Sequence, residues 1–242
     1  VRVTLVRGIV HGLAVCLALA VPSPSTVDAA AAPLHPSTLR PELIGAARQL
    51  VVVVPAYWKA TTARVDRWEL RNGTWVRRNI SSYTARLGRT GTRVVRREGD
   101  GSTPAGSFPL LSAIGTESSP VTRLRYTRIR AGHCWISDVS DASYNRLVVR
   151  SRCGEANEDL HRIATAGPYR RVVVTGYNTS PIVPGLGSAI FLHLHSRRNG
   201  STVPTAGCIS LDTAPMDATW RWLDPAKAPR IVIGPAAWLT GT

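Results

Sequence analysis

The chain has 242 residues, with 30 Lys and Arg against 15 Asp and Glu, a formal net charge of +15 and a pI near 11.0. At that length, with 44% hydrophobic and 19% charged residues, it can bury a full core, which excludes wholesale disorder. Lys59 and Lys227 are its only lysines, so the positive charge is almost all arginine.

Residues 1–31 read as a secretory signal peptide. Arg2 and Arg7 precede an apolar run from Gly8 to Val21, then Pro22-Ser23-Pro24 and the small residues Ala29 to Ala32. A positive start, a short apolar core and small residues at a cleavage site are the three parts of an export sequence. The run is about 14 residues, short of the roughly 20 needed to cross a bilayer as a helix, so no stable membrane span is expected. A retained anchor is the alternative. Removing Arg2, Arg7 and Asp28 leaves the mature chain one unit less positive. A basic exported protein meets anionic cell-wall polymers more readily than nucleic acid.

Residues 32–49 are rich in Pro and Ala with little periodicity and read as a linker or frayed lead-in to a domain over 50–242. Leu50 to Val54 is a β-branched run ended by Pro55. Asp66 to Arg77 reads as two strands around Asn72-Gly73, a strong hairpin signal. Arginines and aromatics interleave from Tyr57 to Arg78, a pattern that nucleic-acid binders share. A sheet with arginines on its wet face and tryptophans on its dry one accounts for it better. Thr92 to Arg96, Thr122 to Ile129, Leu147 to Arg150, Arg171 to Thr175, Ala189 to His195 and Arg230 to Ile233 are further strand candidates. Two helices interrupt them: Glu155 to Ala166, stopped by Gly167-Pro168, and Thr213 to Leu223, capped by Thr213. Many short strands with two short helices make the chain mainly β, a β-sandwich or irregular barrel.

Cys16 leaves with the signal, so Cys134, Cys153 and Cys208 remain. An odd number in an oxidising compartment implies one pair and one spare. A Cys134–Cys153 disulfide would close a loop of about 20 residues and contribute about 3 kcal/mol, leaving Cys208 free. Pairing of either with Cys208 stays open.

The segment from Ala189 to Leu211 concentrates the chemistry. A strand carries His193 and His195 two apart, on one face, and a loop returns the chain to Thr205-Ala206-Gly207-Cys208. A neighbouring imidazole can lower the pKa of a thiol and make it nucleophilic. Gly207 lets the backbone approach a substrate, and the amides of Gly207 and Cys208 could meet an oxyanion.

Thr205-Ala-Gly-Cys208, preceded at 15 residues by Phe191-Leu-His193, resembles the signature of the L,D-transpeptidase catalytic domain, the YkuD-like family. Asp100-Gly-Ser-Thr-Pro-Ala-Gly-Ser-Phe108 is similar to its Thr-Pro-x-Gly-x-Phe turn. Gly176-Tyr-Asn178 followed by Gly187-Ser-Ala-Ile-Phe-Leu-His193 resembles the approach strand of a divergent branch. The resemblance implies Cys208 as nucleophile, His193 as the base in preference to His195, and the Leu194 carbonyl as its orienter. It further implies a thioester with peptidoglycan stem peptides, 3→3 cross-linking and acylation by carbapenems, in a monomer that needs no cofactor and no metal. Tyr177, Ser188, Thr205 and His195 are candidate substrate-binding residues. Many members carry histidine before the glycine and arginine two after the cysteine. Here Ala206 and Ser210 stand there, leaving Arg197, Arg198 or another arginine to compensate.

Other readings give different chemistry. Water as acceptor would make an L,D-carboxypeptidase. His193, His195 and Cys208, with His133 or water, have the chemistry of a zinc site. The fold could also serve as a non-catalytic wall-binding module. Trp135, Tyr144 and Asn145 lie between the paired cysteines, in a lid or a stapled strand pair.

Overall fold

The structure is a computed structural model that describes residues 1, 32–118 and 120–242. The expected signal, 1–31, lies outside the described residues apart from Val1. Ten strands form the main sheet: β1 (Gln49–Pro55), β2 (Thr62–Arg71), β3 (Thr74–Arg77), β4 (Tyr83–Arg86), β5 (Gly106–Gly115), β6 (Tyr126–Arg128), β7 (Arg171–Thr175), β8 (Phe191–Leu194), β9 (Ile209–Leu211) and β10 (Arg230–Ile233). The order β1-β10-β5-β7-β8-β9-β4-β2 closes on itself, because β2 also pairs antiparallel with β1 from Gln49↔Glu69 to Pro55↔Ala63. The fold is therefore the barrel of the two expected architectures. It is irregular: β1–β10 and β8–β9 are parallel in an otherwise antiparallel ring, and β9 meets β4 only at Ser210↔Arg86.

The run at 50–54 is continuously apolar because both of its faces are buried. Val51 and Val53 point into the barrel with Ile231, Ile233, Leu192, Leu194, Ile209 and Leu211. Leu50 and Val52 face outward under Leu39, Leu43, Trp68 and Leu239. Most of the expected linker, residues 33–48, thus packs onto the barrel, with a 3-10 turn (Pro36–Thr38) and helix α1 (Pro41–Ile44). Their apolar residues, three to four apart, cover the outward face of β1. Burying them offsets the entropy of ordering a Pro-rich stretch.

Among the described residues four α-helices stand where two were expected: α1, α2 (Leu160–Thr165), α3 (Thr213–Trp222) and α4 (Ala236–Thr240). Helix α2 starts late because Glu158 and Asp159 pair with Trp135 and Cys134, and the Asp159 carboxylate then accepts from Arg162 N–H as its cap. The cap position of α3 is Asp212, not Thr213, and its side chain makes no capping bond. Met216, Trp220 and Leu223 of α3 join the barrel core. The long strand β5 has no signal of its own, since Pro109 breaks its pattern. A proline in a central strand removes a ladder donor, and here its ring packs against Gly176, just past a register shift between Val174 and Thr175.

The arginines of β2 and β3 do not all face water. Arg67 is buried, donating to Ala218 O at 2.6 Å and to the Tyr83 hydroxyl at 2.9 Å, while Arg77 holds Asp66 at 2.6 Å. Internal partners therefore occupy much of the basic, aromatic stretch.

Outside the barrel, His133–Trp135 pairs with Leu147–Val149 and Glu158–Asp159 in a three-stranded sheet. The Cys134–Cys153 disulfide staples this lobe and Cys208 is free. Replacing both paired cysteines with serine is expected to lower unfolding stability by about 3 kcal/mol in denaturant titration. An unchanged midpoint would show that the bridge constrains nothing the lobe's hydrogen bonds do not already hold.

Candidate active site

Strand β8 turns Leu192 and Leu194 into the core and puts Phe191 and His193 on the barrel's outer face. Parallel β9 runs beside it in the register Leu192↔Ile209 and His193↔Ser210. Parallel neighbours need a crossover of a dozen or more residues, which is the physical reason for the gap between His193 and Cys208. The crossover contains a small hairpin, Arg197–Arg198 with Ser201–Thr202.

Cys208 arrives next to Phe191, whose N–H donates to Sγ at 3.4 Å, and its thiol donates to Ala189 O at 3.1 Å. Tyr169, from the 3-10 turn Pro168–Arg170, stands edge-on to His193 and Phe191, with centroids 5.1 and 5.7 Å apart. Its hydroxyl interacts with Cys208 and donates to Glu158 Oε2 at 2.7 Å. Cys208 is 6% exposed and His193 4%.

His193 Nδ1 lies 2.6 Å from Leu194 O. A carbonyl only accepts, so Nδ1 carries the proton and Nε2 presents a lone pair. Burial above all, with a smaller push from His195, holds the imidazole down at about 4 against the opposing bond to Leu194. Burial also pushes the Cys208 thiol up to about 12. Glu158 adds to that rise, while the Phe191 amide, Arg96 and Tyr169 oppose it. The expected lowering of the thiol pKa is thus reversed in this closed site. The resting pair is a neutral thiol and a neutral imidazole.

Glu158 is itself pushed up to about 7 by burial, with the Tyr169 hydroxyl lowering it and Glu98 raising it. Glu158→Gln is therefore expected to speed alkylation of Cys208 by iodoacetamide above pH 7, where the native carboxylate is charged. The gain should be about 3- to 10-fold, for a thiol pKa lower by about 0.5–1 unit. It should vanish near pH 6. An equal gain at both pH values would show that packing, not charge, was altered.

The cysteine loop is braced from behind by the 100–104 turn. Gly207 has φ +151°, and a Cβ there would lie 2.8 Å from Ser102 O. Thr205 N–H donates to Leu87 O, and Arg89 N–H to Thr205 O. The Thr205 hydroxyl donates to Cys208 O at 2.6 Å and accepts the Gly207 N–H at 3.1 Å. The Gly207 amide is thus committed to Thr205 and not free for an oxyanion.

The stapled lobe closes over this site. Asn145 Nδ2 donates to Tyr177 O and Asn178 O, and its Oδ1 accepts Ala189 N–H at 3.1 Å. The Tyr144 hydroxyl accepts from Gly187 N–H and donates to Glu98, and Ser188 Oγ bonds Ser137 Oγ at 2.7 Å. Through these bonds the lobe fixes the Gly187–Ala189 backbone, whose last carbonyl holds the thiol.

A family model for the L,D-transpeptidase catalytic domain matches residues 58–233. The chain belongs to that family. No match was found among curated proteins or among solved structures.

In this L,D-transpeptidase domain the remaining candidates fall apart in space. His195 is half-buried and bonds Ser210 Oγ through Nδ1 at 2.8 Å; it lies just past the end of β8, two residues farther than His193 from Phe191, the residue bonded to Cys208. The Tyr177 hydroxyl donates to Leu186 O at 2.5 Å and its ring packs on Phe108, so it shapes the 178–188 loop. Arg197 and Arg198 lie on the exposed hairpin, with Arg197 held by Asp212 at 2.6 Å. His133 Nδ1 accepts Arg130 N–H in the lobe, and among the described residues no three His, Cys, Asp or Glu side chains are grouped to hold a metal. Also among the described residues, no helix is long and apolar enough to cross a membrane.

Three residues at the site carried no signal in the sequence. Tyr169 follows a helix-stopping Gly-Pro, Glu158 sat inside an expected helix, and Arg96 ended an expected strand.

Proposed function

We propose that this L,D-transpeptidase-type domain is a secreted, cysteine-dependent acyltransferase on peptidoglycan stem peptides, forming 3→3 cross-links through a thioester. One observation carries the reading: a free Cys208 just before β9, its Sγ accepting from Phe191 N–H on the strand that also carries His193, whose Nδ1–H is bound to Leu194 O. The export-like sequence of 1–31 and the lobe disulfide fit work outside the cytoplasm.

With Nε2 unprotonated near neutral pH, His193 takes the thiol proton as Sγ turns from Ala189 O and attacks the carbonyl of the third stem residue. The S–C bond forms, the C–N bond to the terminal D-Ala breaks, and His193 returns the proton to the leaving amine. An amine of a second stem then attacks the thioester and loses its proton to His193, and the thiolate is reprotonated. Because the resting pair is neutral, proton transfer accompanies attack. The peptide must displace part of the Gly187–Ala189 cover, since reacting atoms have to come within about 3–3.5 Å. The Cys208 amide is the backbone donor left for the oxyanion.

Incubation with a purified tetrapeptide stem tests this by mass. A cross-linked dimer with release of D-Ala supports transpeptidation. Tripeptide alone would make water the acceptor and the enzyme a carboxypeptidase. Recovery of unchanged tetrapeptide with bound protein would leave a wall-binding module.

A further inference from the structure

Arg96 is 2% exposed, and its Nε and Nη1 have no hydrogen-bond partner. A guanidinium buried in that state is costly, because its N–H groups have lost water and gained nothing in return. Its nearest carboxylate, Asp100, stands 3.7 Å from Nε and is engaged elsewhere. Asp100 Oδ1 accepts from Ser102 N–H at 2.8 Å and Ser102 Oγ at 2.7 Å, and Oδ2 from Arg97 N–H at 2.9 Å. The ring of Tyr177 supports the guanidinium from 5.7 Å.

The position of this charge is specific. A Cβ on Gly187 would lie 2.5 Å from Nη1, and a Cβ on Gly207 3.3 Å from Nη2. The guanidinium is thus wedged between the residue preceding the nucleophile and the turn that leads to Ala189. Two glycines, both at positive φ, leave the room it occupies. Its charge also opposes the rise in the Cys208 pKa. Glu98 and Glu158 interact with each other at the same site, but neither pairs with Arg96.

We propose that Arg96 is the anion anchor of this site and binds the free C-terminal carboxylate of the donor peptide. That carboxylate lies one residue, about 3.5 Å of chain, past the scissile carbonyl, beside the backbone that the guanidinium flanks. A planar fork suits a carboxylate with two parallel bonds. The assignment rests on the function proposed above, and it makes the domain selective for stems that end one residue beyond the scissile bond.

The test measures binding to the Cys208→Ala protein by calorimetry, using the tetrapeptide stem and its C-terminal carboxamide. The free acid should bind about 10- to 100-fold more tightly. Arg96→Gln should erase that preference by weakening the acid and leaving the amide unchanged, and Arg96→Lys should keep part of it. A preference that survives Arg96→Gln, equal weakening of both ligands, or no preference in the parent would each overturn the proposal. Should Arg96→Gln fail to fold, the parent and Arg96→Lys still decide it. Turnover by the unsubstituted protein is read separately. Discrimination without turnover would support Arg96 as anchor while striking down the acyl-transfer reading.

Discussion

Cys208→Ala is expected to abolish acyl transfer, by at least about 10³-fold in kcat/KM on a tetrapeptide stem. The nearby hydroxyls cannot take over. Thr205 Oγ1 is bound to Cys208 O and Gly207 N–H, and Ser210 Oγ to His195. Tyr169 donates to Glu158, and burial with that neighbouring charge holds its own pKa well above the ordinary value. The variant should stay folded, since it removes one sulfur and leaves both walls of the site, Ala189 and Phe191, in place. Release of D-Ala followed over time reads the result. Undiminished release would assign the chemistry to another residue.

His193→Gln is expected to lower kcat/KM by about 10²- to 10⁴-fold, the range for loss of a general base. Glutamine keeps a polar group near Leu194 O but has no lone pair of comparable basicity. The pH profile separates this from a packing effect. Burial holds the imidazole at about 4, so activity of the native domain should fall only as pH drops toward 4, and the variant's residual activity should lack that limb. The same depressed pKa links to stability. The imidazole's contribution is present above its unfolded value near 6.5 and is lost as pH falls through about 4. An acid limb near 6.5 would mean that the imidazole is solvated in the working state.

Two strands rich in β-branched residues were legible to the residue, and the Leu50–Val54 run extends by one residue at each end, Pro55 included. Arg171–Thr175 and Arg230–Ile233 form as expected, and the Asn72-Gly73 hairpin closes with both residues at positive φ. These elements are buried on both faces or fixed by local turn chemistry, so the sequence alone decides them. Strand β5 was not legible, because Pro109 reads as a breaker until Gly176 is seen to make room for its ring. The shortened α2 follows from a tertiary choice, the pairing of Glu158–Asp159 with the stapled strand, which no helical periodicity reports.

The site divides in the same way. The candidates His193 and Cys208 were marked in the sequence by the family resemblance, and the fold supplies a physical cause for the gap between them, since a parallel strand pair requires a crossover of that length. Tyr169 and Glu158 flank helix α2 and Arg96 lies far upstream in a loop, so only tertiary packing brings all three to one sulfur. The electrostatics were misread for the same reason. An imidazole close in sequence suggested a thiol of lowered pKa, whereas the folded lobe excludes water from both groups and drives their pKa values apart.

The most direct measurement of the central claim is the intact mass of the protein after incubation with a carbapenem, followed by peptide mapping. A single adduct equal to the mass of the antibiotic, mapped to Cys208 and absent from Cys208→Ala, is the predicted result. An unmodified Cys208, or an adduct on any other residue, would contradict the thioester chemistry assigned to this domain.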